Sequence, residues 1–544
     1  MGKTLNLKSA LSNLKPLIAL SIIWALGLFF ICPLGDFPLN DDWVYGLATK
    51  HFYEKNEFYP IPWSATALFS NVIWGWGFVK LLGFSFDILR LSSIVASLLG
   101  SWGAYYLLFN ISKSTIISFI GALALLCNPI FFGLSYTFMT DVFCLTVIIF
   151  SLIFFIESFK KTSNTLHLFA ATFFSIIATL SRQTSLIIPL AYFLAFLILS
   201  NKKMSYKTFI ASFPFLISLF SFILLEYGLK IQGHLPAMSV GGLRDFFNFF
   251  LSPLAVIYHL PRRLVPMLYY IGLFSLPILT LLQWKKFNLN KKYFGMIFVT
   301  LALFNGMRLM PTASNVISNY GMGPITIRDV YFLGINKPNS ISNFFWFFIS
   351  ILSLIAASLI TYLIPEIIER VRRSDLIKKK IAVFLLLIFL GYFTFFLIFP
   401  FFDRYLLIFI PTLWSVLYLI FLDKKIPFKK LLISFSMIIG FLFYSTVTTK
   451  DYFNFNKARW ILLNHSVNEE KINIKDIDGG YEFNGLYNYD QSLNPSAWWV
   501  INDKYLISLG PVNGYHKYKE IEYLHILPKY KQTIYLLEKD SNYP

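Results

Sequence analysis

Thirteen stretches of this 544-residue chain are apolar over lengths that can cross a hydrocarbon layer of ~30 Å. They fall at about 16–34, 90–109, 115–133, 141–157, 166–181, 183–200, 208–228, 264–283, 294–310, 342–364, 381–400, 405–422 and 431–448. In lipid a backbone must satisfy its own polar groups, so runs of this kind are helices. The residues are 56% hydrophobic and 14% charged, which excludes a soluble globular protein. A net charge of +19 would suggest nucleic acid in a soluble chain. Here the excess is Lys and Arg between apolar runs, the signature of cytoplasmic loops, and no nucleic-acid partner is expected.

Those basic clusters fix the sides. Lys3, Lys8 and Lys15 precede the first span. Lys160 with Lys161, Lys202 with Lys203 and Lys207, and Lys285 with Lys286, Lys291 and Lys292 follow later ones. Arg370, Arg372 and Arg373 with Lys378 to Lys380, and Lys424 with Lys425, Lys429 and Lys430, complete the set. All share one side only if 67–82 does not span and 166–200 crosses twice. The stretch 67–82 therefore reads as an interfacial helix with Trp74 and Trp76 at headgroup depth, and Arg182 sits at a turn. The expectation is an all-α polytopic protein of about thirteen transmembrane helices over 1–448. Its N-terminus is cytoplasmic, its first span is retained and not a cleaved signal, and it lies in the plasma (bacterial inner) membrane. Residues 449–544 then form a small extracytoplasmic α/β domain, in which IDGGYEFNG, YLISLGP and TIYLLEK read as short strands.

On this topology Asp41, Asp42, Asp141, Arg182, Arg262, Arg263, Asp403 and Arg404 all emerge on the outer side. The run Asn40-Asp41-Asp42-Trp43-Val44-Tyr45 opens a long loop, 35–89. Adjacent carboxylates beside a bilayer suit removal of a proton from an acceptor hydroxyl, or a metal. The plainer explanation is a solvated acid pair, but the aromatic flanks make burial costly enough to need a reason. Asp141, in Thr140-Asp141 at the mouth of a span, is otherwise a helix N-cap. Arg182-Gln183 is otherwise a snorkelling pair, and its functional reading is a phosphate clamp. In Asp403-Arg404-Tyr405 the acid could simply neutralise the base, and Arg262-Arg263 reads as a headgroup contact. Cys32, Cys127 and Cys144 show no disulfide or zinc spacing. No histidine motif or Gly-rich phosphate loop occurs, so nothing suggests a nucleotide donor.

The first-loop run resembles the D-[DE]-x-x-Y motif of GT-C-type glycosyltransferases, in particular the protein O-mannosyltransferase and lipid A aminoarabinose-transferase branch. Trp63-Ser64-Ala65-Thr66, Gly83-Phe84-Ser85-Phe86 with Leu89-Arg90, Asn128-Pro129 before Thr140-Asp141, and Ser181-Arg182-Gln183 before Pro189 fit in order. Asp403-Arg404-Tyr405-Leu406 before Pro411, and Ile477-Asp478-Gly479-Gly480-Tyr481-Glu482, fit more loosely. The resemblance covers about 16–200 well. It implies a catalytic core there, with Asp41 as general base, Asp42 beside it and Asp141 as the second-loop acid. Arg182, Gln183, Arg404 and Arg90 would hold the donor phosphate, and Trp43, Tyr45 and Trp63 would belong to the substrate loop. A divalent cation is optional, with Asp41 and Asp141 as its ligands. Many relatives carry Glu where this chain has Asp42, so which acid does the chemistry stays open. The function implied is transfer of a sugar from a polyprenyl-phosphate carrier to an outer glycan, lipid or protein acceptor. The alternatives are a glycolipid flippase, for which charges near the midplane and paired repeats are missing, and a non-catalytic envelope-assembly protein.

Overall fold

The computed structural model describes residues 7–64, 67–160, 165–200, 206–236, 252–284, 290–304, 308–422, 426–490 and 498–541. Ala65, Thr66, Lys3, Lys161, Lys202, Lys203, Lys285, Lys286, Lys424 and Lys425 lie outside them. Among the described residues, eight helices are long and apolar enough to cross a membrane, and Thr115–Leu126, Thr165–Ser181 and Gln183–Leu199 are shorter apolar helices. The chain is a multi-pass membrane protein.

Local chemistry sets the boundaries. Ser85 caps the helix Phe86–Ser112 by accepting from Ile88 N at 3.2 Å. The apolar run 115–133 breaks because Asn128 accepts from Ile130 N and Phe131 N, and Pro129 starts a new helix, Pro129–Leu134. The run 166–200 divides at Arg182 into Thr165–Ser181 and, after a 3-10 turn, Ile187–Leu199. Phe69–Leu82 has 14 residues, about 21 Å of helix, too short to span. Trp76 on this helix packs edge-on against Phe52. Trp74 donates to Ser92 O at 3.0 Å and stacks on Phe143 at 5.4 Å. It joins this helix to the bundle.

The helices pack through small residues, as membrane helices do in the absence of a hydrophobic drive between them. A Cβ on Gly272 would lie 2.6 Å from Ser353 O and 2.7 Å from Ala357 N, so Pro253–Leu279 and Asn343–Arg373 meet backbone to backbone. Outward-facing Phe29, Phe220 and Leu224 remain exposed, an apolar exterior suited to lipid. Thr140–Lys160, with 21 residues, is about 31 Å long and links the two ends of the bundle. Lys160 at its far end reaches Asn110 O and Glu157.

The last span does not stop near 448. It continues as one helix, Phe428–Asn468, into the C-terminal unit. There β3 (Ile477–Asp478), β4 (Tyr505–Ser508), β5 (Tyr515–His525) and β6 (Tyr530–Lys539) form a sheet in the order β3-β4-β6-β5, with β3 parallel to β4 and the other pairs antiparallel. A two-residue hairpin, β1 (Ile317–Ser318) with β2 (Gly321–Met322), lies in the segment before Asn343. The expected strand over IDGGYEFNG forms only at β3; Tyr481–Asn488 is a helix. Asp478 Oδ1 accepts from Gly480 N at 3.2 Å and Asn484 Nδ2 at 2.8 Å, and Gly480 adopts φ +91°. That side-chain turn launches the helix.

Candidate active site

Asn40, in the left-handed region at φ +52°, turns the chain so that the two adjacent aspartates face opposite ways. Asp42 points inward and is 1% exposed. Its Oδ1 accepts from Phe138 N at 2.9 Å and its Oδ2 from Leu39 N at 3.3 Å. Burial pushes its carboxyl up to about 7, against the pull of Arg90 and of those two N–H groups. Asp41 points the other way. Its Oδ2 lies 3.2 Å from Arg404 Nη2, and its Oδ1 accepts from the Tyr481 hydroxyl at 2.8 Å.

Arg404 extends the chain of charges, with Nη1 at 3.9 Å from Asp141 Oδ2. Arg182 closes it, with Nη2 at 2.9 Å from Asp141 Oδ1 and Nε donating to Thr140 Oγ1 at 2.9 Å. Both guanidinium planes lie over the Tyr405 ring, at 4.9 and 5.2 Å. Asp141 is 4% exposed, and its contacts with the arginines are off the hydrogen-bond axis, leaving both of its oxygens without a donor. Asp141, Arg182 and Arg404 line a narrow cavity of about 40 Å³. Its apolar wall is Leu145, Ile148, Tyr392, Phe396 and Ile408. Alternating acid and base at helix ends, closed off by rings, is a place where a developing negative charge meets two fixed forks.

The sequence-derived residues divide. Asp41, Asp141, Arg182 and Arg404 come together. Trp63 joins them indirectly, donating from Nε1 to the Tyr481 hydroxyl at 2.8 Å. Trp43 is buried among Tyr481, Tyr489 and Trp499, and Tyr45 is buried within reach of the charges of Asp41, Arg404 and Arg182. Arg90 is elsewhere: its fork ends on Pro33 O, Gly35 O, Phe37 O and Asp87, so it anchors the first loop and does not face the cavity. Gln183 accepts from Ala67 N at 3.4 Å and is not among the cavity-lining residues. Asp403 does not neutralise Arg404. Its carboxylate accepts backbone N–H groups of Asn315, Val316, Ile317 and Arg404 and so holds the incoming loop. Arg263, expected at headgroups, donates to Leu397 O and Ile398 O, the last carbonyls of a helix. Between Asp41 and Asp141, the residues named for an optional cation, stands Arg404, and no group of three metal-ligating side chains occurs among the described residues.

Sequence reasoning missed Tyr481 and its neighbour Glu482 as site residues. Burial and the nearby Asp41 carboxylate hold the Tyr481 phenol far above its ordinary range, so it stays a proton donor. Glu482, fully buried, pairs with Arg459 at 2.9 Å and accepts from Thr326 and from Asn40 N at 3.1 Å. The C-terminal unit thus holds the Asn40-Asp41-Asp42 turn by both its backbone and its carboxylate.

Residues 72–226 match the model of the dolichyl-phosphate-mannose-protein mannosyltransferase family. No curated protein matches the chain. Among solved structures, ArnT from Cupriavidus metallidurans bound to undecaprenyl phosphate aligns at 13% identity and TM-score 0.40, over 73% of this chain and 59% of that one. The apo form of the same protein aligns at 12% and 0.41, over 97% and 98%. The archaeal oligosaccharyltransferase AglB from Archaeoglobus fulgidus, in complex with an inhibitory peptide and a dolichol-phosphate, aligns at 12% and 0.44, over 84% and 58%. These are general likenesses, and the chain spans about three-fifths of the first and third. The family match takes in Asp141 and Arg182 and leaves Asp41 and the C-terminal unit outside it. Over that segment the resemblance to GT-C-type membrane glycosyltransferases is borne out.

Proposed function

We propose that this protein transfers a sugar from a polyprenyl-phosphate carrier to an acceptor hydroxyl on the extracytoplasmic side of the plasma membrane. The observation that supports it most is the ordered chain Tyr481–Asp41–Arg404–Asp141–Arg182 at the ends of apolar helices. A lipid-phosphate donor needs cations at the membrane surface beside an apolar wall, and this chain of charges provides both. The acceptor oxygen attacks the anomeric carbon, and the bond from that carbon to the phosphate oxygen breaks, with inversion. Asp41 takes the acceptor proton. Arg404 and Arg182 carry the charge that develops on the leaving phosphate, and Asp141 holds the two forks apart and aimed. Asp42, facing inward, positions the turn.

The test is reconstitution of the purified protein with a radiolabelled undecaprenyl-phosphate sugar and an envelope extract as acceptor source. Release of undecaprenyl phosphate together with label in an acceptor supports the reading. Equal release by Asp41→Asn and wild type would overturn the role of Asp41. Movement of intact lipid-linked sugar across the vesicle, without bond cleavage, would favour a flippase.

A further inference from the structure

A second cavity lies between the C-terminal unit and the segment before Asn343, outside the charge chain. It has a volume of about 510 Å³ and is lined by Arg328, Phe332, Asp478, Trp498, Asn502 and Asp503 among others. That is the size of a small-molecule site, whereas the first cavity holds little more than water. Its floor is aromatic: Trp498 lies 4.5 Å from Phe332 and 4.8 Å from Tyr331. Its polar side is fixed, because Arg328 Nη1 is 2.7 Å from Asp503 Oδ2 and 3.9 Å from Asp478 Oδ2.

Two consecutive tryptophans, Trp498 and Trp499, sit in the left-handed region at φ +49° and +57°. Side chains with a Cβ rarely adopt that conformation, and it persists where surroundings enforce it, often at ligand clamps. The turn sends the two indoles to different places. Trp498 faces the cavity. Trp499 packs at 5.1 Å against both Trp43 and Trp63, beside the proposed base. Tyr481 touches both indoles, at 5.7 and 5.8 Å, and its hydroxyl bonds Asp41. The cavity wall is therefore one ring removed from the general base.

The two carboxylates are matched by Arg328 and by Lys539, whose Nζ is 3.4 Å from Asp503 Oδ1. Among the described residues the polar side therefore leaves no cation free for an anionic ligand, and its fixed ion pairs disfavour an acyl chain. What remains suited is a neutral ring with one apolar face and several hydroxyls. On these grounds we infer that this cavity is a saccharide subsite of the acceptor: a pyranose ring stacks on Trp498 while its hydroxyls bridge Asp503 and Arg328. This rests on the proposed transferase reading and names the acceptor class as a glycan.

The test is saturation-transfer NMR on the full-length protein in nanodiscs. The probes are methyl glycosides of glucose, galactose, mannose and N-acetylglucosamine, with a Ser/Thr hexapeptide run in parallel. At least one glycoside should receive saturation on one ring face. Trp498→Ala should lower its affinity at least tenfold and Asp503→Asn several-fold, while Asp41→Asn leaves it unchanged. Binding retained with an active Asp41→Asn enzyme would overturn the catalytic reading and leave the subsite standing. No transfer to any glycoside in wild type, or equal transfer in both cavity variants, would overturn the subsite. So would binding of the hexapeptide alone, which would assign the cavity to a protein acceptor. If Trp498→Ala does not fold, Asp503→Asn, which keeps the packing, decides.

Discussion

Asp41→Asn and Asp42→Asn exchange the same atoms in adjacent residues and should fail in different ways. Asp42 has its carboxyl raised from 3.8 to about 7, with burial the leading cause. Between those values the folded protein holds a proton that the unfolded chain has released, so stability falls as pH rises from about 4 to 7 and levels above. A shift of roughly three units at ~1.36 kcal/mol each is on the order of 4 kcal/mol. Asparagine abolishes that dependence but offers one acceptor oxygen where the carboxylate gave two. One of the N–H groups of Phe138 and Leu39 is then left unpaired, at about 1–3 kcal/mol. Asp42→Asn should therefore be less stable than wild type at pH 5, and the gap should close or invert by pH 8. The assay is the thermal midpoint by intrinsic fluorescence, in one detergent, from pH 5 to 8. Every other titrating group is common to both proteins, so the difference curve isolates Asp42. Asp41→Asn keeps Asp42, so the fall in stability between about pH 4 and 7 should remain while sugar transfer drops about 10²–10⁴-fold. Parallel pH curves for wild type and Asp42→Asn would refute the reasoning.

Arg404→Ala removes the group between Asp41 and Asp141 and should cost about 3–5 kcal/mol of stability as well as activity; Arg404→Lys should keep the fold and lose most transfer, read by melting and by initial rates. Arg182→Lys should retain partial activity and Arg182→Ala should raise the donor KM, checked against donor concentration; unchanged kinetics in the alanine variant would reduce Arg182 to an anchor. Gly485→Ala would bring a Cβ within 2.4 Å of the Trp43 ring and should cost about 1–3 kcal/mol, with lower transfer because Trp43 follows the aspartate pair directly; a neutral result in both assays would show that the ring yields freely. In a cysteine-free background, Asn513→Cys should label with an impermeant thiol reagent from outside and Arg372→Cys should not; the reverse pattern would invert the topology.

The charged residues of the site could be found from sequence because ionised groups at the ends of apolar runs are expensive and so carry information. Asp41, Asp141, Arg182 and Arg404 all stood out in this way. Arg90 looked the same on that criterion, an arginine beside an acid at a helix start. Only the path of residues 33–37 shows that three carbonyls converge on it. Asp42 is turned away from Asp41 by a single left-handed residue before the pair, a conformation that Asn40 permits but does not announce. Tyr481 was hidden for a different reason. Its contact with Asp41 joins positions 440 residues apart, and the aromatic alternation of YEFNG resembles a strand. The Asp478 and Asn484 side chains turn it into a helix instead.

The uninterrupted helix Phe428–Asn468 makes the C-terminal unit hard to exchange as a module. With 41 residues it is about 60 Å long, and it carries Arg459 in its final third. Arg459 holds Glu482, and Glu482 holds the backbone of Asn40. A chimera that replaces 469–544 with a relative's sequence would keep the membrane bundle intact and yet unseat the turn before Asp41. Grafting a new acceptor preference onto this scaffold therefore means moving residues 33–45, 313–336 and 449–544 as one block, cut within the membrane part of that helix.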